Sequence, residues 1–373
     1  MIENPFILKA YENEELFCDR EREVELLQEE ITNGNNIALI AQRRIGKTGL
    51  IYHLFNQPRI KDEYNTIIVD IYATKNIEEF TYVFSKAVLS SLRGKGATAI
   101  QKFIDIVMSL KQGIAFDSFG NPSWSIELGD IHSPQTTIDE VFHYLENADR
   151  PCIVAIDEFQ TVATYPGNSA EAMLRTYIQK CHNTHFIFSG SQQTMMQEMF
   201  MKKKRPFYQS TAIQRLGLID RQKYAQFAMK MFGNYSREID EEVVYKVYDM
   251  FEGITWYLQR VMNKLFTLTP PNEKCDLGKI DFAIDRILEE SELIYESLLF
   301  QLPPKQKELL VAICKEGKAR NITSKAFCHS HGITASSVQA AIKGLLEKNF
   351  VIFSRDYYEA YDNFFSIWLQ KKY

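Results

Sequence analysis

The stretch that decides the fold is Ile37–Leu50, IALIAQRRIGKTGL. Its first four residues are apolar and too short a run for a helix, so they read as a buried strand. Ala41-Gln42-Arg43-Arg44-Ile45-Gly46-Lys47-Thr48 follows, and from Gly49 onward GLIYHLFN has a helical pattern. Strand, tight turn and helix N-terminus together aim successive backbone N–H groups and the positive end of the helix dipole at an anion. This is the phosphate-binding loop pattern, with Ala41 in place of the first glycine. In that pattern Ala41 to Gly49 cradle the phosphates of a nucleotide, Lys47 reaches the β- and γ-phosphates, and the Thr48 hydroxyl ligates Mg²⁺. Gly-Lys-Thr alone should arise by chance on the order of once in five chains of this length. Its place between a strand and a helix carries the reading.

Working outward, Ile153-Val154-Ala155-Ile156-Asp157-Glu158 is an apolar run ending in two acids. Strand ends are where ligands of a parallel sheet sit. There Asp157 can hold a Mg²⁺-bound water and Glu158 can polarise a water for in-line attack. The plainer alternative is that Asp-Glu opens a solvated loop or caps the next helix. A third run, His185 to Phe188, ends in Ser189-Gly190-Ser191. Two readings of Ser191 stand side by side: a contact to the γ-phosphate or the attacking water, or a Ser-Gly turn that caps the following helix.

Short apolar runs (Ile37 to Ile40, Thr66 to Ile71, Cys152 to Ile156, His185 to Phe188) alternate with amphipathic stretches (Arg20 to Asn33, Ile77 to Leu92, Thr137 to Asn147). That alternation predicts an α/β fold, a parallel sheet covered by helices. Gly113 to Asp130 breaks the rhythm with polar and apolar residues alternating around Gly120-Asn121-Pro122, the pattern of an inserted hairpin. From Asp220 to Thr267 the pattern is helical, and Asp276 to Leu299 adds a long acidic helix. Ser324 to His331, Gly332-Ile333-Thr334 and Ala335 to Lys348 then read as helix, turn, helix, with Phe350 to Tyr361 as two strands around Arg355-Asp356. The expected division is a phosphate-loop domain over 1–218, a helical lid over 219–300 and a winged helix-turn-helix domain over 301–373.

The 373-residue chain is 45% hydrophobic and 24% charged, ordinary globular usage. Its formal net charge of -5 excludes a molecule basic all over. The charge is uneven, however: Pro303 to Tyr373 holds 11 basic and 6 acidic residues, against 32 and 42 in the remainder. The second helix of the tail offers only Lys343 and Lys348 as cations, with Ser336, Ser337 and Gln339 as possible base readers. Duplex DNA and a docking protein, or an intramolecular role, are even choices for this unit. Tyr357, Tyr358, Tyr361, Phe364, Phe365 and Trp368 read as core rather than a stacking platform. Six scattered cysteines without a CxxC pair point away from disulfides and zinc toward a reducing compartment. No apolar run of 18 residues and no basic-then-apolar leader occurs, so a cytoplasmic protein with no membrane partner is expected.

Taken together, CDRERE (Cys18 to Glu23), AQRRIGKTGL, CIVAIDEFQ, FIFSGSQQTMM and FEGITWYL resemble the archaeal-type P-loop ATPases, a branch close to the AAA+ and signal-transduction ATPases. The resemblance spans nearly the whole chain, since the tail resembles that family's winged helix. It implies ATP and Mg²⁺ as ligands, with Asp19 and Arg20 opening the segment near the adenine. Lys47 and Thr48 then bind phosphate and metal, Asp157 and Glu158 complete the hydrolytic site, and Ser191 is the sensor. It also implies that the Ser191 strand lies between those of the phosphate loop and of Asp157. Two departures stand out. A family Pro-Leu-Tyr-Gly-Arg stretch reads Pro206-Phe207-Tyr208-Gln209-Ser210 here, so that arginine is missing. Arg205 or Arg215 are its possible substitutes, although solvated surface charge is the favoured reading of both. A family Gly-x-Pro in the lid reads Gly253-Ile254-Thr255.

The expected function is a Mg-dependent ATPase, slow for want of an arginine finger, acting as a switch that moves the winged helix toward a partner. The alternatives are an ATP-licensed DNA-binding protein of replication-initiator or regulator type, and a nucleotide-binding scaffold that does not hydrolyse. An oligomer is compatible with any of them.

Overall fold

In the computed structural model the described residues are 4–92, 97–113, 115–116, 122–123, 128, 131–167, 169–354 and 356–373. The chain divides into two compact units, one of Ile7–Phe227 with Gly253–Tyr257, the other of Met1–Phe6, Ala228–Glu252 and Leu258–Tyr373.

The first unit is built on a five-stranded sheet. Its strands are β1 (Ile37–Ala41), β2 (Asn65–Asp70), β5 (Cys152–Asp157), β6 (Thr184–Gly190) and β7 (Ala212–Leu216), with a separate small pair, β3 (Ala115–Phe116) and β4 (Pro122–Ser123), between β2 and β5 in sequence. The spatial order is β2-β5-β6-β1-β7 and every neighbouring pair is parallel. The Ser191 strand thus lies between the other two, as the resemblance implies. Strand alternation explains the near-continuous apolar runs, because both faces are covered. Ala38, Ile40, Val154, Ile156, Phe186 and Phe188 enter one core cluster. Ile37, Leu39, Ala41, Ile153, Ala155 and Ile187 enter the other, with Leu27 and Ile31 of the helix Glu21–Thr32 and Leu50 and Leu54 of the helix Lys47–Asn56.

Edge strand β7 was not among the expected strands. Its sequence AIQRL alternates half-buried and exposed positions, so it lacks the apolar run of the inner strands. In the inserted hairpin, Ala115 pairs antiparallel with Ser123 and Phe116 with Pro122, while the expected turn residues Gly120 and Asn121 lie outside the described residues.

The second unit holds the helices Glu241–Met250 and Gly278–Phe300 and a two-residue parallel pair, β8 (Glu238–Ile239) with β9 (Lys274–Cys275). Its tail has the winged-helix arrangement. Helix Lys325–Ser330 is capped by Ser324, the turn passes through Gly332 at φ 65°, and helix Ala335–Glu347 is capped by Thr334. A hairpin of β10 (Val351–Ser354) and β11 (Tyr357–Ala360) forms the wing, with Arg355 outside the described residues. Ala319 adds a bridge to Tyr358. Phe364, Phe365 and Trp368 of the last helix are buried and meet Phe251 and Tyr295, so these three of the aromatic cluster are core, while Tyr357, Tyr358 and Tyr361 are only half-buried.

Candidate functional site

The loop between β1 and the helix Lys47–Asn56 turns through two left-handed residues, Arg44 (φ 67°) and Gly46 (φ 89°). Left-handed positions of this kind fold backbone N–H groups into a concave, anion-binding arrangement. Gly46 caps the helix without a side-chain hydrogen bond, so the N–H groups of the first turn keep their donor capacity for a ligand. Ala41 ends β1 and lies outside the left-handed residues, so alanine at the first-glycine position strains nothing. The loop is braced from behind. Arg20, buried, donates to the carbonyls of Ile45 and Gly217 and pairs with Glu23 at 2.7 Å. Thr255 Oγ1 donates to the Ile45 carbonyl and Trp256 N to the Arg44 carbonyl at 2.9 Å. The Arg44 guanidinium lies over the Trp256 ring at 4.7 Å. Gly49 permits a close approach, since a Cβ there would come 2.5 Å from the Ala10 carbonyl oxygen.

At the strand ends the acids and the cation meet. Lys47 Nζ lies 2.7 Å from Asp157 Oδ1 and 3.1 Å from Glu158 Oε1. Thr48 Oγ1 donates to Asp157 Oδ2 at 2.7 Å, and Ser189 Oγ donates to Asp157 Oδ1 at 2.5 Å. Ser191 Oγ donates to Glu158 Oε2 at 2.7 Å and accepts from Arg43 Nε at 3.1 Å. Gln160 Nε2 donates to Glu158 Oε2 as well. Burial alone would push the Asp157 carboxyl up, but the Lys47 charge and the hydrogen bonds from Lys47, Ser189 and Thr48 outweigh it and hold it below the ordinary value. Glu158 follows the same balance: burial raises it, while Lys47, Gln160 and Ser191 bring it below the ordinary value. Both are therefore carboxylates at neutral pH.

The phosphate-loop residues and the two acids that the sequence singled out are thus brought together. Neither alternative reading of the strand tips describes what these side chains do here. Glu158 precedes the turn Phe159–Thr164 without capping it through its side chain, and the residue before the helix Gln193–Met201 is Gln192 rather than Ser191. Asp19 is held by Lys223 at 2.5 Å. Burial would raise its carboxyl, yet hydrogen bonds from Lys223 and nearby groups keep it low. Arg205 pairs with the buried Glu171 at 2.5 Å, and Arg215 is exposed on edge strand β7. The Phe207 ring is buried among Phe159, Phe188 and Phe200, and Gln209 occupies a left-handed position (φ 51°) where the family pattern has glycine. Ser189 and Gln160 were missed. Ser189 adjoins Ser191 in the same SGS triplet, a signal that two hydroxyls flank the strand tip; Gln160, two residues after Glu158, carried no comparable cue.

The donor set suits Mg-ATP. A hydroxyl and a carboxylate at 2.7 Å are hard oxygen ligands, and the uncapped helix start is an anion site. Among the described residues no cluster of three His, Cys, Asp or Glu stands ready to hold a metal, which this kind of site does not require, since phosphates and water complete the shell. All six cysteines are free thiols.

Residues 17–261 match the family described as "ATPase domain predominantly from Archaea". The chain belongs to that family of ATPase domains. Residues 293–371 match a second description, "Probable winged helix domain". None of the curated proteins matches the archaeal-type ATPase chain in sequence. Among solved structures, the Walker-type ATPase PABY2304 of Pyrococcus abyssi superposes with a TM-score of 0.65 at 19% identity, over 98% of this chain and 99% of that one. The Aeropyrum pernix Orc1 protein, solved in complex with DNA, gives 0.56 at 12% identity, over 99% and 96%. At these identities the likeness is one of fold. Among the described residues of this ATPase-family chain, no helix is long and apolar enough to cross a membrane.

Proposed function

We propose that this chain binds Mg-ATP at the Lys47 loop, hydrolyses it slowly, and uses the nucleotide state to reposition its winged helix toward a partner. The observation that carries the reading is Lys47 set within 3.1 Å of both acids while Thr48 donates to one of them. Gln42 to Gly49 offer backbone donors and the helix start to the phosphates, and Asp19 and Arg20 begin the segment on the adenine side. Lys47 exchanges its carboxylate partners for the β- and γ-phosphates. Thr48, which donates its hydroxyl hydrogen bond to Asp157, would hold Mg²⁺ through its oxygen, and Asp157 would hold a water of that ion. The metal, when bound, neutralises charge that develops on the phosphate oxygens. Glu158 orients the attacking water and takes its proton. The water oxygen bonds to the γ-phosphorus while the bond to the β,γ-bridging oxygen breaks, and its electron pair leaves with ADP. Ser191 steadies Glu158 and stands near the γ-phosphate.

Slow turnover follows from the missing finger: Arg205 is engaged by Glu171, and supplying such a charge is worth roughly a thousandfold or more. In this division 1–218 forms the catalytic part, 219–300 the lid and 301–373 the winged helix, in a cytoplasmic protein.

The basic tail's charge is partly matched within its own unit. Lys318 pairs with Glu252, Lys372 with Glu296, and Lys371 with Asp285. That favours a protein partner or an intramolecular role over duplex DNA. The second reading, ATP-licensed duplex binding, keeps support from the exposed Ser336, Gln339 and Lys343 on helix Ala335–Glu347. Phosphate release by wild type and Lys47→Ala, each with and without duplex, tests both. Release that needs Lys47 and ignores duplex is expected; stimulation by duplex selects the second reading, and release independent of Lys47 removes both.

A further inference from the structure

Gln160 lies on the turn Phe159–Thr164 directly after β5, and its side chain is 1% exposed. Its Nε2 donates to Glu158 Oε2, the oxygen that also accepts the Ser191 hydroxyl. The other oxygen, Oε1, accepts among the described residues from Lys47 alone, at 3.1 Å. The two edges of the carboxylate therefore have different company. Oε2 is held by two neutral donors, and Oε1 by the cation that the proposed function hands over to phosphate.

Two further observations show that the amide is there for its hydrogen bond. Among the described residues nothing donates to Gln160 Oε1, although the atom is buried. A buried, half-satisfied amide is unfavourable beside an apolar side chain of the same length, so packing gives no reason for glutamine here. The room it occupies is also reserved by the backbone of β6. A Cβ on Gly190 would come 2.3 Å from Gln160 Oε1 and 2.4 Å from Met196 Sδ, so only glycine leaves the amide where it is.

We propose that Gln160 is a positioning residue for hydrolysis: its amide pins the Oε2 edge of Glu158 and so makes Oε1 the edge that receives the proton of the attacking water. The inference rests on Glu158 being that base. Gln160 exchanges no proton and touches no reacting atom; it aligns the group that does. A hydrogen bond to a charged acceptor has a strength that corresponds to about tenfold to a hundredfold in rate when it is lost.

The test uses the full chain with Gln160→Met, which keeps length and removes the donor. The turnover number is expected to fall about tenfold to a hundredfold with the Kd for Mg-ATP unchanged. In crystals of nucleotide-free Gln160→Met, Glu158 should leave its place between Lys47 and Ser191 or spread over several rotamers. Gly190→Ala, which displaces the amide from the other side, should reproduce the loss of turnover. Wild-type turnover in Gln160→Met or an unmoved Glu158 in its crystals each overturns the role. If Glu158→Gln itself turns over like wild type, the base assignment falls and Gln160's role with it. If Glu158→Gln is inactive while Gln160→Met is normal, only the inference about Gln160 is refuted.

Discussion

At the scale of single residues, Lys47 governs the site before any nucleotide arrives. Its ammonium is buried with Asp157, and removing one member of such a pair leaves the other charge uncompensated. Lys47→Ala should therefore lose stability as well as nucleotide binding, by about 3 kcal/mol, the lower end for one partner of a buried pair. Urea unfolding without nucleotide measures it. The pH dependence has a definite sign. Asp157 and Glu158 sit below their ordinary values in the folded chain, so the unfolded chain binds more protons and stability rises with pH across that interval. Their contribution is complete above the unfolded carboxylate values of about 4 and drains away as pH falls through the lower folded values. In Lys47→Ala the folded values move up, so acid unfolding should begin at a higher pH than in wild type. An identical acid transition would show that Lys47 does not hold these carboxylates.

At the scale of elements, the arginine question turns on one loop. Arg205 follows the helix Gln193–Met201 and is engaged by Glu171, whose carboxyl is raised by burial against the opposing pull of Arg205. Arg205→Ala should lower the melting temperature while per-site turnover is retained. A drop in turnover of roughly a thousandfold would instead make Arg205 a finger. What was legible in the sequence divides along physical lines. β1, β5 and β6 announced themselves because inner parallel strands are apolar on both faces, and the place of β6 between the other two followed from the resemblance. β7 did not, because an edge strand carries Gln214 and Arg215 among its apolar residues. The loop and the acids could be read since their spacing along the chain is dictated by phosphate chemistry. Ser189 was legible only as a second hydroxyl of the same triplet, since its bond to Asp157 exists once β5 and β6 lie side by side, and Gln160 was not, because its bond to Glu158 depends on the turn that follows β5. Gln209 stands where the family pattern has glycine, and its backbone is left-handed (φ 51°).

At the scale of the whole molecule, charge decides which partner the winged helix suits. Lys343 lies 3.9 Å from Glu347, while Lys348 donates to the uncharged Gln306 amide at 3.2 Å and keeps its charge, so this helix sets two cations against one carboxylate. Each phosphate neutralised contributes a log-log salt slope of about -0.9, so duplex binding through these two lysines should give no more than about -2. A slope steeper than about -5, measured by fluorescence anisotropy on a labelled duplex, would support the ATP-licensed DNA reading. The account as a whole depends on Lys47 binding nucleotide and Glu158 acting on it. The most direct measurement is to bind radiolabelled ATP with Mg²⁺ to wild type, Lys47→Ala and Glu158→Gln and follow bound nucleotide and released phosphate in a single turnover. Wild type should bind and slowly release phosphate, Glu158→Gln should hold ATP uncleaved, and Lys47→Ala should bind none. Cleavage at the wild-type rate by Glu158→Gln, or no binding by wild type, would contradict it.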